Sequence, residues 1–170
     1  MAILPIVRFG DPVLRTPTSP VAQIDEPLQQ LIDDMIDTMY DAPGVGLAAN
    51  QVGESKRLMV IDLSVGDKGG EVHVCINPEI VVREGEQAES EGCLSVPDFQ
   101  ELVTRPARVV MRYLDRDGVT RKMEGTKLMA RAMCHECDHL DGKLYVDYLR
   151  GLRKESILRR IKKMRRDGTW

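Results

Sequence analysis

The first clear pattern of apolar and polar positions is helical and lies near the N-terminus. Between Asp25 and Pro43 apolar residues recur three and four positions apart, at Leu28, Leu31, Ile32, Met35, Ile36 and Met39. This spacing is typical of an amphipathic helix with one buried face. Asp is a common helix cap and Pro cannot continue a helix. The sequence therefore predicts one helix between Asp25 and Pro43.

The pattern then changes to short apolar and β-branched runs, which predict strands. These runs cover residues 57–63, 71–77, 79–84, 108–114 and 119–124. Turn-forming residues separate them, at residues 64–70, at Pro78 and at D-R-D-G (115–118). Because strands joined by short turns pair with their neighbours, we expect antiparallel strands.

Two further helices are predicted towards the C-terminus. Residues 127–140 contain helix-forming residues throughout, and Gly142 is a natural stop for that helix. A last helix is predicted over residues 148–164. The order of one helix, several strands and two helices lacks regular βαβ alternation, which predicts an α+β fold.

Length and composition indicate one globular domain over residues 1–170. The chain is 42% hydrophobic and 30% charged, and it has no internal repeat. Pro5 and Arg8 interrupt any secretory signal, and no apolar run approaches the ~18 residues of a membrane span. We therefore expect a cytoplasmic protein without membrane association. In such a compartment four cysteines are more typical of metal ligands, catalytic thiols or core residues than of disulfides.

Charge is distributed unevenly along the chain. The net charge is −3, but residues 147–170 hold nine Lys or Arg against three acidic residues, a local charge of +6. The remainder therefore carries −9, because −3 − 6 = −9. The C-terminal helix is thus predicted to form a basic surface on an otherwise acidic chain.

Residues 134–142 read C-H-E-C-D-H-L-D-G and contain two of the three histidines. On an α-helix His135 and His139 project from one face a turn apart, so together they can hold one metal ion. Glu136 is offset from that face, where it can act as general base on a water bound to the ion. The H-E-x-x-H sequence is therefore interpreted as the signature of a metal-dependent hydrolase.

Two imidazoles need a third ligand from elsewhere in the chain. The candidates are Glu155, His73, Cys75 and Cys93. Cys93 is favoured because it lies in E-G-C-L-S-V-P, where Gly92 allows close backbone approach and Pro97 ends any strand. A thiolate and two imidazoles would leave one tetrahedral position for water.

Other functions of the same stretch stay open at this point. A metzincin-type protease would continue to a third histidine where this chain has Tyr145, although other H-E-x-x-H peptidases remain alternatives. Cys134 and Cys137 also form a C-x-x-C pair, which would suit a noncatalytic zinc or redox module. The pair lies in mid-helix rather than at a helix start, so core packing is the favoured interpretation.

Three stretches together resemble the peptide deformylase family. They are G-V-G-L-A-A-N-Q (44–51), E-G-C-L-S (91–95) and H-E-C-D-H (135–139), and the similarity extends over nearly the whole chain. The resemblance implies a fold in which antiparallel β-sheets surround a central helix that carries H-E-x-x-H. It also implies an enzyme that removes the N-formyl group from formylmethionine of nascent peptides and releases formate.

The resemblance also implies a cofactor and its ligands. One divalent ion would be held by Cys93, His135 and His139, with Fe2+ as the native metal and Zn2+, Ni2+ or Co2+ able to replace it. Metal-bound water would attack the formyl carbon. Glu136 would take the proton from that water and pass it to the leaving amine.

Further roles follow from the same resemblance. The Gln51 amide and the Leu94 backbone N–H would stabilise the oxyanion. Val45, Gly46 and Gly92 would bind the peptide in an extended form.

Two expectations concern groups outside the catalytic set. Glu91 and Asp138 would orient the metal ligands, although a surface ion pair would explain either residue equally well. The basic C-terminal helix, residues 148–166, either contacts the ribosome, which a deformylase meets when it acts on nascent chains, or is a docked helix whose charges form only a solvated face.

Overall fold

The computed structural model describes residues 2–67 and 70–170. Within the predicted turn at residues 64–70, Lys68 and Gly69 lie outside the described residues. No helix in the described ranges is long and apolar enough to cross a membrane.

Among the described residues, three α-helices form in the regions that local sequence signals predict. They are α1 (Glu26–Asp41), α2 (Lys127–Leu140) and α3 (Gly151–Arg166). The Asp25 carboxylate caps α1 by accepting a hydrogen bond from the Leu28 N–H at 3.0 Å. Gly142 follows α2 with a positive φ of 78°, as a helix-terminating glycine does.

The last helix begins later than predicted. Tyr145–Tyr148 form a short 3-10 helix, and Leu149 and Arg150 are extended. Gly151 then adopts a φ of 62°, a conformation that glycine tolerates and that breaks the helical path. The prediction that a helix runs from residue 148 was therefore wrong by three residues.

Within residues 2–67 and 70–170, seven strands form two antiparallel sheets. The strands are β1 (Gly46–Ala48), β2 (Leu58–Ile61), β3 (His73–Glu84), β4 (Gln87–Cys93), β5 (Val96–Arg105), β6 (Arg108–Leu114) and β7 (Thr120–Thr126). One sheet has the order β1-β2-β3-β6-β7, and β4 pairs with β5 in the other. The fold is α+β, as predicted.

Two prolines that were expected to end strands lie inside them. Pro78 lies within β3, between Ile76 and Glu79, where the register with β6 shifts. Pro97 lies within β5, where the register with β4 shifts. Proline has no N–H to contribute to a ladder, so it is tolerated at such irregular positions.

Helix α2 contacts both sheets. It packs against all five strands of the larger sheet and against β5 of the smaller one. Its Met133, Cys134 and Cys137 side chains enter a hydrophobic cluster with residues of β2, β3 and β6. This burial holds the helix in a fixed orientation, with its opposite face towards β4 and β5.

Candidate metal and catalytic site

Helix α2 presents His135, Glu136 and His139 to the interior, and all three are buried. The two Nε2 atoms lie 3.1 Å apart, and Nε2 of His139 lies 3.2 Å from Sγ of Cys93. The ligand atoms of Cys93, His135 and His139 all lie within 4.8 Å of one another. Cys93 reaches this position because β4 ends there in a tight turn into β5.

These three side chains fit a metal ion. Zn–N distances of about 2.0–2.1 Å and Zn–S distances of about 2.3 Å place tetrahedral ligand atoms about 3.3–3.6 Å apart, close to the separations observed. Burial and the neighbouring His135 hold the pKa of His139 well below its usual value, so this imidazole is neutral and can bind a cation. The donor set and its spacing therefore suit a divalent ion.

A buried charge network supports His135 from behind. Nδ1–H of His135 donates to Glu91 at 2.8 Å, which turns Nε2 of His135 towards Cys93 and His139. Arg105 holds Glu91 through two hydrogen bonds of 3.1 and 2.7 Å and donates to Asp138 at 2.6 Å. Burial alone would raise the pKa of Glu91, but the His135 and Arg105 contacts lower it to about 2. Glu91 is therefore a carboxylate at neutral pH.

Glu136 occupies a different environment. Its Oε1 lies 4.0 Å from Nε2 of His135, and its Oε2 is buried without a hydrogen-bond partner among the described residues. Burial raises the pKa of this carboxyl to about 7. A carboxyl in that range can accept and return a proton near neutral pH.

Gly46 makes room for Glu136. A Cβ built on Gly46 would lie 2.8 Å from Oε1 and 2.9 Å from Cγ of Glu136. Only a residue without a side chain therefore lets β1 approach α2 this closely.

Gln51 lies beside the cysteine and is buried. Its Nε2 donates to Sγ of Cys93 at 3.7 Å and to Oγ of Ser95 at 3.2 Å, and its Oε1 accepts from the Ala48 N–H. These contacts fix the amide orientation with the NH2 group towards the site. The neighbouring Asn50 donates to the carbonyl of His139.

The site opens into a cavity of about 770 Å³. Val45, Gly46, Gly92 and Leu94, the other residues that the sequence analysis assigned to the site, all line this cavity. Cys93, His135 and Glu136 line it as well. The cavity lies between the edge of the larger sheet at β1 and the β4–β5 pair. It is large enough for several residues of a peptide.

The alternative metal ligands are not part of this group. His73, Cys75 and Glu155 do not belong to the converging set found in the described ranges. Cys75 is completely buried in the cluster behind α2.

The C-x-x-C pair faces the core. Burial raises the pKa of Cys134 to about 11 and that of Cys137 to about 12, so both stay protonated thiols. Sγ of Cys137 contacts Sδ of Met111 at 3.8 Å. Two protonated, buried thiols do not suit redox chemistry or metal binding.

Sequence reasoning did not identify Asn50, Ser95 or Arg105 as site residues. Asn50 and Ser95 lie within the stretches 44–51 and 91–95, so the motifs contain them without indicating what they contact. Arg105 lies ten residues beyond those motifs, and its sequence surroundings give no sign of its partners.

Known proteins are similar to this chain over nearly its whole length. Residues 3–155 match the family described as "Polypeptide deformylase". A peptide deformylase from Acidobacterium capsulatum is 51% identical over 170 residues, covering 100% of both chains. One from Alkalilimnicola ehrlichii is 50% identical and covers 99% of this chain and 94% of that protein.

Solved structures show the same similarity. A peptide deformylase from Legionella pneumophila superposes with a TM-score of 0.91 at 47% identity, covering 97% of this chain and 96% of that one. One from Synechococcus elongatus, in complex with actinonin, gives a TM-score of 0.90 at 40% identity, covering 95% and 89%.

Proposed function

This chain belongs to the peptide deformylase family, and from that membership we propose that it hydrolyses the N-formyl amide of formylmethionyl nascent peptides. The products would be formate and a peptide with a free amino group. The observation that carries the proposal is the convergence of Cys93, His135 and His139, with Cys93, His135 and the neighbouring Glu136 on the wall of a peptide-sized cavity.

We propose that Cys93, His135 and His139 hold one divalent metal ion. When bound, such an ion lowers the pKa of a coordinated water to about 7 and polarises a carbonyl oxygen. A Cys/His/His set suits several metals, and Fe2+ is proposed as the native one, with Zn2+, Ni2+ and Co2+ as substitutes. Glu91 would hold His135 in the tautomer whose Nε2 faces the ion.

Glu136 would carry the proton. It would accept a proton from the attacking water and deliver it to the amine nitrogen as the C–N bond breaks. The unpartnered Oε2 and the pKa of about 7 support this role, because the group can change protonation state without breaking an existing hydrogen bond.

Gln51 and Leu94 would stabilise the negative oxygen that forms on the formyl carbon. The contacts of Gln51 with Ala48 and Ser95 support this role, because they orient the amide before substrate binds. Preorganised donors of this kind contribute about 3–4 kcal/mol to transition-state stabilisation.

The peptide would bind in an extended form beside Val45, Gly46 and Gly92. Strand β1 lies at the edge of its sheet, and β4 has one strand partner, so backbone groups on both sides of the cavity can pair with an added strand. Residues 1–170 would together form one catalytic domain, since the proposed site draws on β1, β4 and α2.

The setting would be the cytoplasm, where nascent chains emerge from ribosomes. The basic surface of α3 would then contact ribosomal RNA. All of its cationic side chains except the half-buried Lys154 are exposed while Ile157 and Ile161 pack inwards, which supports binding to a polyanion.

A direct assay tests the catalytic proposal. Protein prepared without oxygen and loaded with a single metal is incubated with a formyl-Met peptide, and formate release and bound metal are both measured. We expect formate release with about one ion per chain. Cleavage of an internal peptide bond without formate release would instead identify an H-E-x-x-H peptidase, and metal binding without any hydrolysis would identify a noncatalytic metal module.

A further inference from the structure

A second cavity adjoins the first. It has a volume of about 380 Å³ and lies between β5 and the first turns of α3. Asp98, Phe99 and Gln100 line both cavities, so one rim separates the catalytic cavity from its neighbour. An extended chain leaving the first cavity over this rim would enter the second.

The rim is built by a local irregularity of the β4–β5 pair. Cys93 pairs with Val96, whereas the adjacent Gly92 pairs with Gln100, so residues 97–99 bulge out of the ladder. Asp98 has a φ of 70°, which is uncommon for a residue other than glycine. Bulges and strained residues of this kind concentrate beside functional sites.

The far wall of the second cavity has an exposed apolar side chain on it. Leu152 is 82% exposed, the largest value among the exposed large hydrophobic residues described. Ser156 lies one turn further along α3, and Arg160 lies another turn on with its guanidinium 4.8 Å from the Phe99 ring centroid. Leu152 thus offers apolar contact at a place where Arg160 and Ser156 offer hydrogen-bond donors for a peptide backbone.

We propose that the second cavity is a subsite for the part of the formylated peptide that lies downstream of the residues held in the catalytic cavity. It would take an apolar side chain against Leu152 while the peptide backbone crosses the rim at residues 98–100. The inference rests on the proposed deformylase function, and the continuity of the two cavities is what singles out the peptide as the occupant. Binding energy gained there would raise kcat/KM for long substrates.

The test compares a formyl-Met tripeptide with a formyl-Met peptide of about nine residues that is apolar in its second half and spans roughly 30 Å when extended. For the wild-type enzyme we expect kcat/KM to be about five-fold higher for the longer peptide, as partial burial of one apolar side chain would give. Leu152→Ser removes the apolar contact, and Ser156→Trp fills the cavity. Both variants should lose the advantage of the longer peptide and keep wild-type activity on the tripeptide.

Val119→Ser is the matched control, because Val119 is 47% exposed in the β6–β7 turn and lines neither cavity. It should retain the length advantage. Equal kcat/KM for both peptides in the wild type would overturn the proposal but leave the deformylase function intact. This is the result expected if the cavity binds a macromolecular partner of α3 instead of the substrate. An advantage that survives both α3 variants would also overturn it. Absence of formate release from either peptide would reject the proposed function itself.

Discussion

Glu136 and Glu91 are two buried glutamates on opposite sides of His135, and their surroundings separate their pKa values. Arg105 and His135 outweigh the burial of Glu91 and hold its pKa at about 2. Glu136 has no hydrogen-bond partner for Oε2 among the described residues, and burial raises its pKa to about 7. One glutamate is therefore suited to hold a ligand in place and the other to move a proton.

Replacing Glu136 by Gln should separate metal binding from turnover. The amide keeps the size of the side chain but cannot accept the proton, so we expect formate release to fall about 10²–10⁴-fold while the metal content stays the same. Glu124→Gln, at an exposed carboxylate on β7, should change neither quantity. Loss of metal from Glu136→Gln would contradict the assigned role, since it would make Glu136 part of the metal-binding set.

Arg105 should contribute to both stability and metal affinity. In Arg105→Gln the buried Glu91 and the half-buried Asp138 lose their cation, so we expect the free energy of unfolding to fall by about 3–5 kcal/mol. His135 would be less well held, and metal affinity should weaken about 10–100-fold. Urea unfolding and competition with a chelator measure the two effects.

Arg112→Gln is the control for Arg105. Arg112 pairs with Glu79 at 3.0 Å on the surface, and such pairs contribute only about 0–1 kcal/mol. If the two variants were equally stable and bound metal equally well, the buried network would not position His135.

At the scale of elements, α2 and α3 each divide their residues between two faces. On α2 the sulfur-containing side chains pack into the core and the histidines face β4. The overlapping C-x-x-C and H-E-x-x-H patterns therefore lie on different faces of the helix. On α3 the buried Ile157 and Ile161 attach the helix to β5, and the cations point outwards.

Neutralising part of the exposed face of α3 should weaken binding to ribosomes without affecting catalysis on small peptides. We choose Arg159, Lys162, Lys163 and Arg166, which are exposed and do not line the second cavity, and replace each by Gln. Each lost phosphate contact should reduce the slope of log K against log salt concentration by about 1. Cosedimentation with ribosomes over a salt series measures this slope.

The matched control replaces four exposed cations on the β3–β6–β7 surface by Gln, namely Arg83, Arg112, Arg121 and Lys122, and it should leave the salt slope unchanged. An equal loss of binding in the control would show that net charge, rather than the α3 surface, attracts the ribosome. Substitution is preferable to deletion of the helix, because deletion would expose the residues of β5 that the helix covers, namely Val96, Phe99 and Val103.

At the scale of the whole molecule, one charge network joins elements that are distant in sequence. Glu91 on β4, Arg105 on β5 and Asp138 on α2 form consecutive ion pairs, and the Tyr148 hydroxyl donates to Asp138 from the segment before α3. The proposed metal site and the packing of the smaller sheet against α2 therefore share the same contacts.

This network predicts a pH dependence of stability. The folded-state pKa of Glu91 is about 2, below its ordinary value of 4.5, so its contribution is present above pH ~4.5 and is lost as the pH falls towards 2. The difference in unfolding free energy between wild type and Glu91→Gln should shrink by roughly 3 kcal/mol over that range. Urea unfolding of metal-free protein at a series of pH values measures it.

Glu89 is exposed on the same strand, so Glu89→Gln is the control. The difference in unfolding free energy between Glu89→Gln and wild type should hardly change with pH. A Glu91→Gln difference that stays constant between pH 2 and 5 would contradict the depressed pKa of Glu91.

The sequence by itself determined the features that depend on near neighbours in the chain. Helical spacing places His135 and His139 one turn apart whatever the rest of the fold does, and the Asp25 cap and Gly142 stop act within a few residues. The β6–β7 hairpin was likewise predictable from D-R-D-G. Beyond local rules, the three family motifs indicated that Cys93 belongs with the histidines.

Only the tertiary structure decided how distant residues meet. Cys93 and His139 are 46 residues apart, and Arg105 and Asp138 are 33 apart, so their contacts depend on how β4 and β5 pack against α2. The polar, exposed β4 lacks the apolar alternation that predicts a strand, and it forms because β5 supplies backbone partners. The second cavity likewise exists only because a bulge in β5 and the first turns of α3 come together, since packing alone brings separate segments into contact.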